Sequence, residues 1–307
     1  MSISVFAPAH ISGFFQPCVR RDPEKSGSRN CGPCLKLGVL TEVSAEPSHK
    51  TEIEISINGR QTKTALTSFS AAKKVLAMTA AHWKIKIAHI CQIPIGAGYG
   101  ASGAGALGAT FGTARALHLN LSPEKLVSIA HAAEVACHTG LGDVGAQATG
   151  GLVISREPGG PPWGIWQRIP VPKDLWVVCC TLGKIKTSSC LKDKEFLKRA
   201  QVLGKSAVNA ILKSPTPENF LRLSKEFAEK LGLLDRELSE LIKISEKAGA
   251  IGASQTMLGR GIFAFATSKT KNSVRRALQE TCGEKPTFTT KIYSKALLVN
   301  NLVKGQP

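Results

Sequence analysis

Long apolar runs are missing from this 307-residue sequence. The longest, such as Leu175–Cys180 and Ile262–Ala266, have the length of a strand. A membrane span needs roughly 20 residues, so none is expected. Met1 to Ile11 holds no basic stretch, no long apolar core and no cleavage site; no secretory signal is expected, and the cytoplasm is the expected location. An even cysteine count is missing too. Nine cysteines scattered through a chain too large to need stapling point to reduced thiols. Acids are scarce: 22 Asp and Glu face 40 Lys and Arg, for a net charge of +18. The imbalance is uneven, with 17 bases against 11 acids in residues 1–180 and 23 against 11 in 181–307. Anionic partners are favoured. The surplus sits on helix-like segments, 191–205 and 269–276, interleaved with apolar residues and few aromatics, so it reads as solvated basic helix faces rather than a nucleic-acid surface.

What is present suits a globular chain of one or two domains, with 43% apolar residues. Thr51 to Ile57 alternates polar and apolar residues, meets Asn58-Gly59 and resumes at Arg60–Leu66, a β-hairpin signal. Helices are expected over Ser68–Trp83 and Ser102–Leu117, with a strand at 84–90 between them. Ser122-Pro123-Glu124 supplies an N-cap, a first-turn proline and a first-turn acid for a helix reaching about Cys137. A strand at Leu152–Arg156 precedes the Pro- and Gly-rich stretch 158–164, which reads as a connector. Domains of 1–160 and 161–307 are therefore expected, the second an α+β unit with a small antiparallel sheet. Cys31-Gly-Pro-Cys34 has the spacing of a redox or metal pair but reads as part of a Gly/Ser/Pro-rich loop, where the thiols would be incidental.

The segment from Pro94 to Gly108 holds six glycines between a strand and a helix. Such a run lets main-chain N–H groups approach a ligand, and the helix N-terminus adds partial positive charge, so phosphate is the natural occupant. The bland reading is a tight turn with close helix packing. A Walker A loop does not fit, because Gly204-Lys205-Ser206 has Arg199 where the first glycine belongs. Gly103 to Gly108 matches G-x-G-x-x-G, but a second helix follows where a Rossmann unit needs a strand ending in an acid. Pro94, Gly96, Gly98, Gly100 and Ser102 follow a third pattern, Pro-x-Gly-x-Gly-x-Gly with a hydroxyl shortly after.

That pattern resembles the GHMP kinases (galactose, homoserine, mevalonate and phosphomevalonate kinases). Two further stretches resemble the family: Glu134 to Asp143, where a helix glutamate precedes a glycine turn with an aspartate, and Gly249 to Gly259, where the family keeps a glycine-rich turn against the phosphate loop. Phe6 to Phe15, Gly27-Ser28-Arg29, Gly142 to Gln147 and Ala253 to Gly259 resemble the archaeal pantoate kinase subgroup. Asn30-Cys31 departs from it, since the subgroup keeps small residues there.

The resemblance implies a GHMP kinase fold of class α+β, with a β-rich ATP-binding N-terminal part and a ferredoxin-like C-terminal part. It implies a homodimer that phosphorylates pantoate at its 4-hydroxyl with ATP and Mg²⁺; another small hydroxy acid or polyol is the alternative, and a basic RNA-binding protein on a kinase fold a more distant one. The phosphate loop would comprise Pro94, Gly96, Ala97, Gly98, Tyr99, Gly100, Ala101, Ser102, Gly103 and Ala104. By the same resemblance Ser102 and Glu134 would hold Mg²⁺, with oxygen ligands suited to a hard ion. Asp143 would meet the acceptor hydroxyl as base or orienting group. Ser28, His131 and Arg156 would bind the acceptor, Arg156 through its carboxylate. Plainer roles stay open: a helix N-cap for Ser102, a surface ion pair for Glu134 and an Asx turn for Asp143. His10, on the first strand, reads as a core histidine.

Overall fold

The computed structural model describes residues 2–185, 187–296 and 302–303. Its strands are β1 (Ile3–His10), β2 (Phe14–Cys18), β3 (Gly27–Pro47), β4 (Glu52–Ile57), β5 (Arg60–Gln61), β6 (Trp83–Cys91), β7 (Leu152–Glu157), β8 (Ile165–Ile169), β9 (Trp176–Gly183), β10 (Gly252–Gln255), β11 (Arg260–Ala266), β12 (Thr287–Thr290) and β13 (Leu302–Val303). Its helices are α1 (Leu66–Leu76), α2 (Ala101–Ala116), α3 (Pro123–Ala136), α4 (Asp143–Thr149), α5 (Thr187–Cys190), α6 (Lys194–Lys213), α7 (Pro217–Leu231), α8 (Arg236–Lys247) and α9 (Lys271–Cys282). None of these helices is long and apolar enough to cross a membrane.

The 21-residue strand β3 is the spine of a mixed sheet, pairing with β1, β2, β6 and β7 along its length. The Gly/Ser/Pro stretch read as a loop lies inside this strand, which corrects that expectation. Residues three apart on a strand face opposite sides. Cys31 accordingly joins the core beneath α6 and α7, while Cys34 joins the core beneath α2 to α4 and donates to the Ala146 carbonyl at 3.1 Å. The two thiols of the C-x-x-C spacing therefore do not meet. The expected hairpin forms at Asn58 and Gly59, with φ of 50° and 77°, but its second strand is only β5.

The link 158–164 joins β7 to β8 as antiparallel neighbours in this first sheet. A boundary at 160/161 would divide that hairpin; we place the boundary instead at 170–175, where the chain leaves for the second sheet. That sheet has the order β10-β11-β9-β12 and is antiparallel throughout, the ferredoxin-like arrangement expected. Its two central strands β9 and β11 are the longest apolar runs of the sequence, because helices cover both faces. Val177, Cys179, Phe263 and Phe265 pack on the α6 and α7 side, and Val178, Cys180, Ile262 and Ala264 on the α8 and α9 side.

Phe14 of β2 packs tilted against Phe220 of α7 (6.1 Å between ring centres), and Phe220 stacks on Phe263 of β11 (5.7 Å). All three rings are fully buried, at roughly 1.5–3 kcal/mol each, so one core fixes the two sheets relative to each other. Helix α2 lies directly on β3. A Cβ at Gly108 would stand 2.0 Å from Thr41 Oγ1 and one at Gly112 2.4 Å from a Val43 methyl, which is why this helix needs glycine on one face.

Candidate active site

The glycine loop crosses from β6 to α2 at the junction of the two sheets. Gly96, Gly98 and Gly100 have φ of 76°, 83° and 64°, values that disfavour any side chain. The loop is held from both sides: the His10 N–H donates to the Tyr99 carbonyl (3.0 Å), and the Thr256 hydroxyl donates to the Ala97 carbonyl (3.1 Å). A Cβ at Gly259 would strike the Ala97 carbonyl at 2.0 Å, so the turn at 255–259 packs against the loop, as the resemblance implied. The Tyr99 ring is buried, its hydroxyl 2.8 Å from that of Thr181 on β9. Gly100 occupies the N-cap of α2 and no side chain caps the helix. Ser102 is thus not the N-cap; it lines the cleft together with the N-terminal turn of α2.

The cleft has a volume of about 310 Å³ and runs from Gly96, Gly98 and Gly100 to Ser28 and Asp143. Beneath it lie two acids. Glu134, near the end of α3, is fully buried and neither carboxylate oxygen has a hydrogen bond of ordinary geometry; the nearest favourable dipoles are the N–H groups of Asp143 and Val144. Burial, and then the negative charge of Asp143, hold its carboxyl well above the usual carboxylate range. No ion pair among the described residues reaches it and it is fully buried, which removes the surface salt-bridge reading. A Cβ at Gly103 would come within 2.8 Å of Glu134 Oε1, and one at Gly140 within 2.5 Å, so both glycines exist to admit this carboxylate.

Unpaired buried oxygens beside a second acid are costly unless something cationic joins them. Glu134, with the Ser102 hydroxyl at the cleft edge, supplies oxygen donors of the kind that suit Mg²⁺. The residues present therefore fit a divalent cation.

Asp143 is the first residue of α4, and its Oδ1 accepts from His10 Nδ1 at 2.8 Å. This bond replaces the Asx-turn reading. His10 is fully buried on β1, and its Nε2 has no partner among the described residues. One turn along α4, Gln147 donates to the Gly100 carbonyl (2.8 Å), tying the acid's helix to the loop. Neither His10 nor Gln147 stands among the residues expected at the site. Gln147 could have been found from its i, i+4 spacing to Asp143; His10 looks like any core residue of an apolar strand.

Ser28 sits at the start of β3, its hydroxyl accepting from Asn30 Nδ2 (3.0 Å), whose Oδ1 in turn accepts from Ser155 (3.1 Å). A Cβ at Gly142 would stand 2.5 Å from Ser28 Oγ, so Ser28 lies one residue from the acid and lines the cleft. His131 does not line it. Its Nε2 donates to the Ser26 carbonyl at 2.7 Å, and burial pushes its imidazole down to about 4, so it supports the loop from below as a neutral ring. Arg156 is not brought to the cleft either. It stands at the register irregularity between Ser155 and Glu157 of the β7–β8 pair, and its guanidinium lies 3.4 Å from Gln167 of β8. No lysine or arginine among the described residues lines the cleft.

Residues 67–151 match the model of the GHMP kinase N-terminal domain and residues 208–284 that of the C-terminal domain, together more than half of the chain. Pantoate kinase of Thermococcus kodakarensis is 33% identical over 285 residues, 91% of this chain and 93% of that protein. Pantoate kinase of Methanospirillum hungatei is 33% identical over 268 residues, 86% of this chain and 87% of that protein. A solved structure described as a phosphotransferase related to the CoA biosynthesis pathway superposes with a TM-score of 0.88 at 30% identity, covering 96% of this chain and 97% of its own. The chain belongs to the GHMP kinases, enzymes that move a phosphoryl group from ATP to a small molecule.

Proposed function

We propose that this kinase phosphorylates the 4-hydroxyl of pantoate, giving 4-phosphopantoate and ADP. The reading is carried by one juxtaposition: Ser28 meets Asp143 across Gly142, in a cleft continuous with the glycine loop. The identity of the acceptor follows the pantoate kinases, to which the chain is similar along nearly its whole length.

ATP phosphates lie on the amides of residues 96–104, where the N-terminus of α2 stabilises negative charge. Asp143 takes the proton of the acceptor hydroxyl as its oxygen bonds to the γ-phosphorus and the bond to the β,γ-bridging oxygen breaks. Its Oδ1 is engaged by His10, which fixes the carboxylate plane and leaves the other oxygen for the acceptor. Ser28 hydrogen-bonds the acceptor, and His131 and Asn30 hold its loop in place. Glu134 and Ser102 would hold Mg²⁺, which when bound offsets phosphate charge in the transition state. A cytoplasmic homodimer completes the proposal, the dimer being tested by light scattering.

The test is ATP consumption with Mg²⁺ over D-pantoate, L-homoserine, mevalonate, pantothenate and glycerate, with Asp143→Ala as the blank. Turnover confined to pantoate supports the reading. Turnover confined to another acceptor discards pantoate and keeps the kinase.

A further inference from the structure

None of the nine cysteines has a part in the proposed chemistry, yet two of them meet. Cys180 lies on β9 and Cys282 is the last residue of α9, and their Sγ atoms are 3.0 Å apart. That is closer than the sum of two sulfur van der Waals radii and longer than the roughly 2.05 Å of a disulfide bond. The pair is 102 residues apart in sequence, so the approach is made by tertiary packing and not by local geometry. Val274 and Leu278 of α9 are buried in one core with Val178 and Cys180, which holds the helix end over the strand. Cys180 is buried, whereas Cys282 is half-buried and followed by Gly283 at a positive φ of 60°, where the chain turns off the helix. A small oxidant can therefore reach one sulfur and not the other.

We propose that Cys180 and Cys282 form a reversible disulfide under a low-molecular-weight disulfide oxidant. The Cys282 thiolate attacks one sulfur of the oxidant and releases the first thiol. The Cys180 thiolate then attacks Cys282 Sγ and expels the second. Two protein thiols give up two protons and two electrons, and the oxidant is reduced to two thiols. The first step is slow at neutral pH, since burial and the neighbouring Cys180 push the Cys282 thiol up to about 12.

The bond would join the two ends of a segment that holds α6, α7, α8, β10, β11 and the 255–259 turn. It would not enter the cleft. Cys180 faces the α8 and α9 side of β9, while Cys179 and the Thr181 hydroxyl face Tyr99 of the glycine loop. The expected result is thus a stiffer C-terminal unit with turnover unchanged, whatever the acceptor.

The full-length protein would be held folded at mildly alkaline pH with oxidised glutathione, then alkylated under denaturing conditions and mapped. The expected product has lost two hydrogen atoms, links the Cys180 peptide to the Cys282 peptide, and melts about 5 °C or more above the reduced form, reverting with dithiothreitol. Cys282→Ser, at the half-buried end, should fold and give none of these changes. A folded protein that carries one glutathione on Cys282 without closing, links other cysteines, or melts at the same temperature when linked would overturn the proposal.

Discussion

At the glycine-loop end of the cleft, the proposed phosphate site, the lining is mostly main chain held at glycine φ values of 76°, 83° and 64°. At the proposed acceptor end the lining is side chain, Ser28 and Asp143, with His10 buried behind the acid, and the three residues come from three separate elements. At the first end the three positive-φ glycines leave the main chain bare, with the Ser102 hydroxyl added at the start of α2. The second end is assembled by hydrogen bonds, so it can change acceptor without changing fold.

Breaking the acceptor end should cost most in rate. Asp143→Ala should lower kcat by about 10³-fold with the KM for ATP little changed, because the general base is lost and the loop is not. Steady-state kinetics decide it, and a variant retaining a tenth of wild-type kcat would remove Asp143 from proton transfer. Gly103→Ala probes the seam between the ends, its methyl standing 2.8 Å from Glu134 Oε1 and from Gln147 Oε1. A displaced carboxylate should cost roughly 10²-fold in kcat and raise the Mg²⁺ needed for half-maximal rate. His10→Gln removes one hydrogen bond to a charged group, worth roughly 1.5–3 kcal/mol, so kcat should fall about 10–100-fold with both KM values held. Arg156→Ala should shift the KM for the acceptor by less than about threefold, the scale of an ordinary surface change. A much larger rise would return Arg156 to the acceptor site.

Stability offers a comparison in the metal-free state. The carboxyl of Glu134 is held above its usual value of 4.5 by burial first and by Asp143 second. The folded protein then binds that proton more tightly than the unfolded chain. Its stabilising effect is complete below 4.5 and is lost progressively as pH rises towards the folded value. Metal-free Glu134→Gln should therefore melt higher than wild type at pH 8, and the gap should close near pH 4. Thermal melts in a chelator read this directly, and a gap that widens towards acid would reverse the sign.

The glycine loop was legible because its constraint is local: alternating glycines between a strand and a helix have few other uses. The capped start of α3 was legible for the same reason, Ser122 accepting from the Lys125 N–H as its position predicts. The acceptor end was only half legible. Ser28 and Asp143 carried family-like neighbours, but the role of His10 depends on a contact 133 residues away in sequence, and an apolar strand gives no sign of it. Arg156 failed for a related reason. Its charge suits a carboxylate, but where its side chain goes is set at a register irregularity of the β7–β8 pair, which spacing alone does not reveal. Cys31 and Cys34 read as a loop because Gly and Pro stand between them, although Pro33 still gives its carbonyl to the Ile11 N–H inside the sheet.

The Thr256 hydroxyl grips the Ala97 carbonyl across 159 residues of sequence. The glycine loop is therefore translated long before the piece that moulds it. A nascent chain that has emerged only as far as α8 already contains every amide of the phosphate cradle, yet lacks the turn against which that cradle sets. The shape of the glycine loop is in this respect set only once the chain has passed β10.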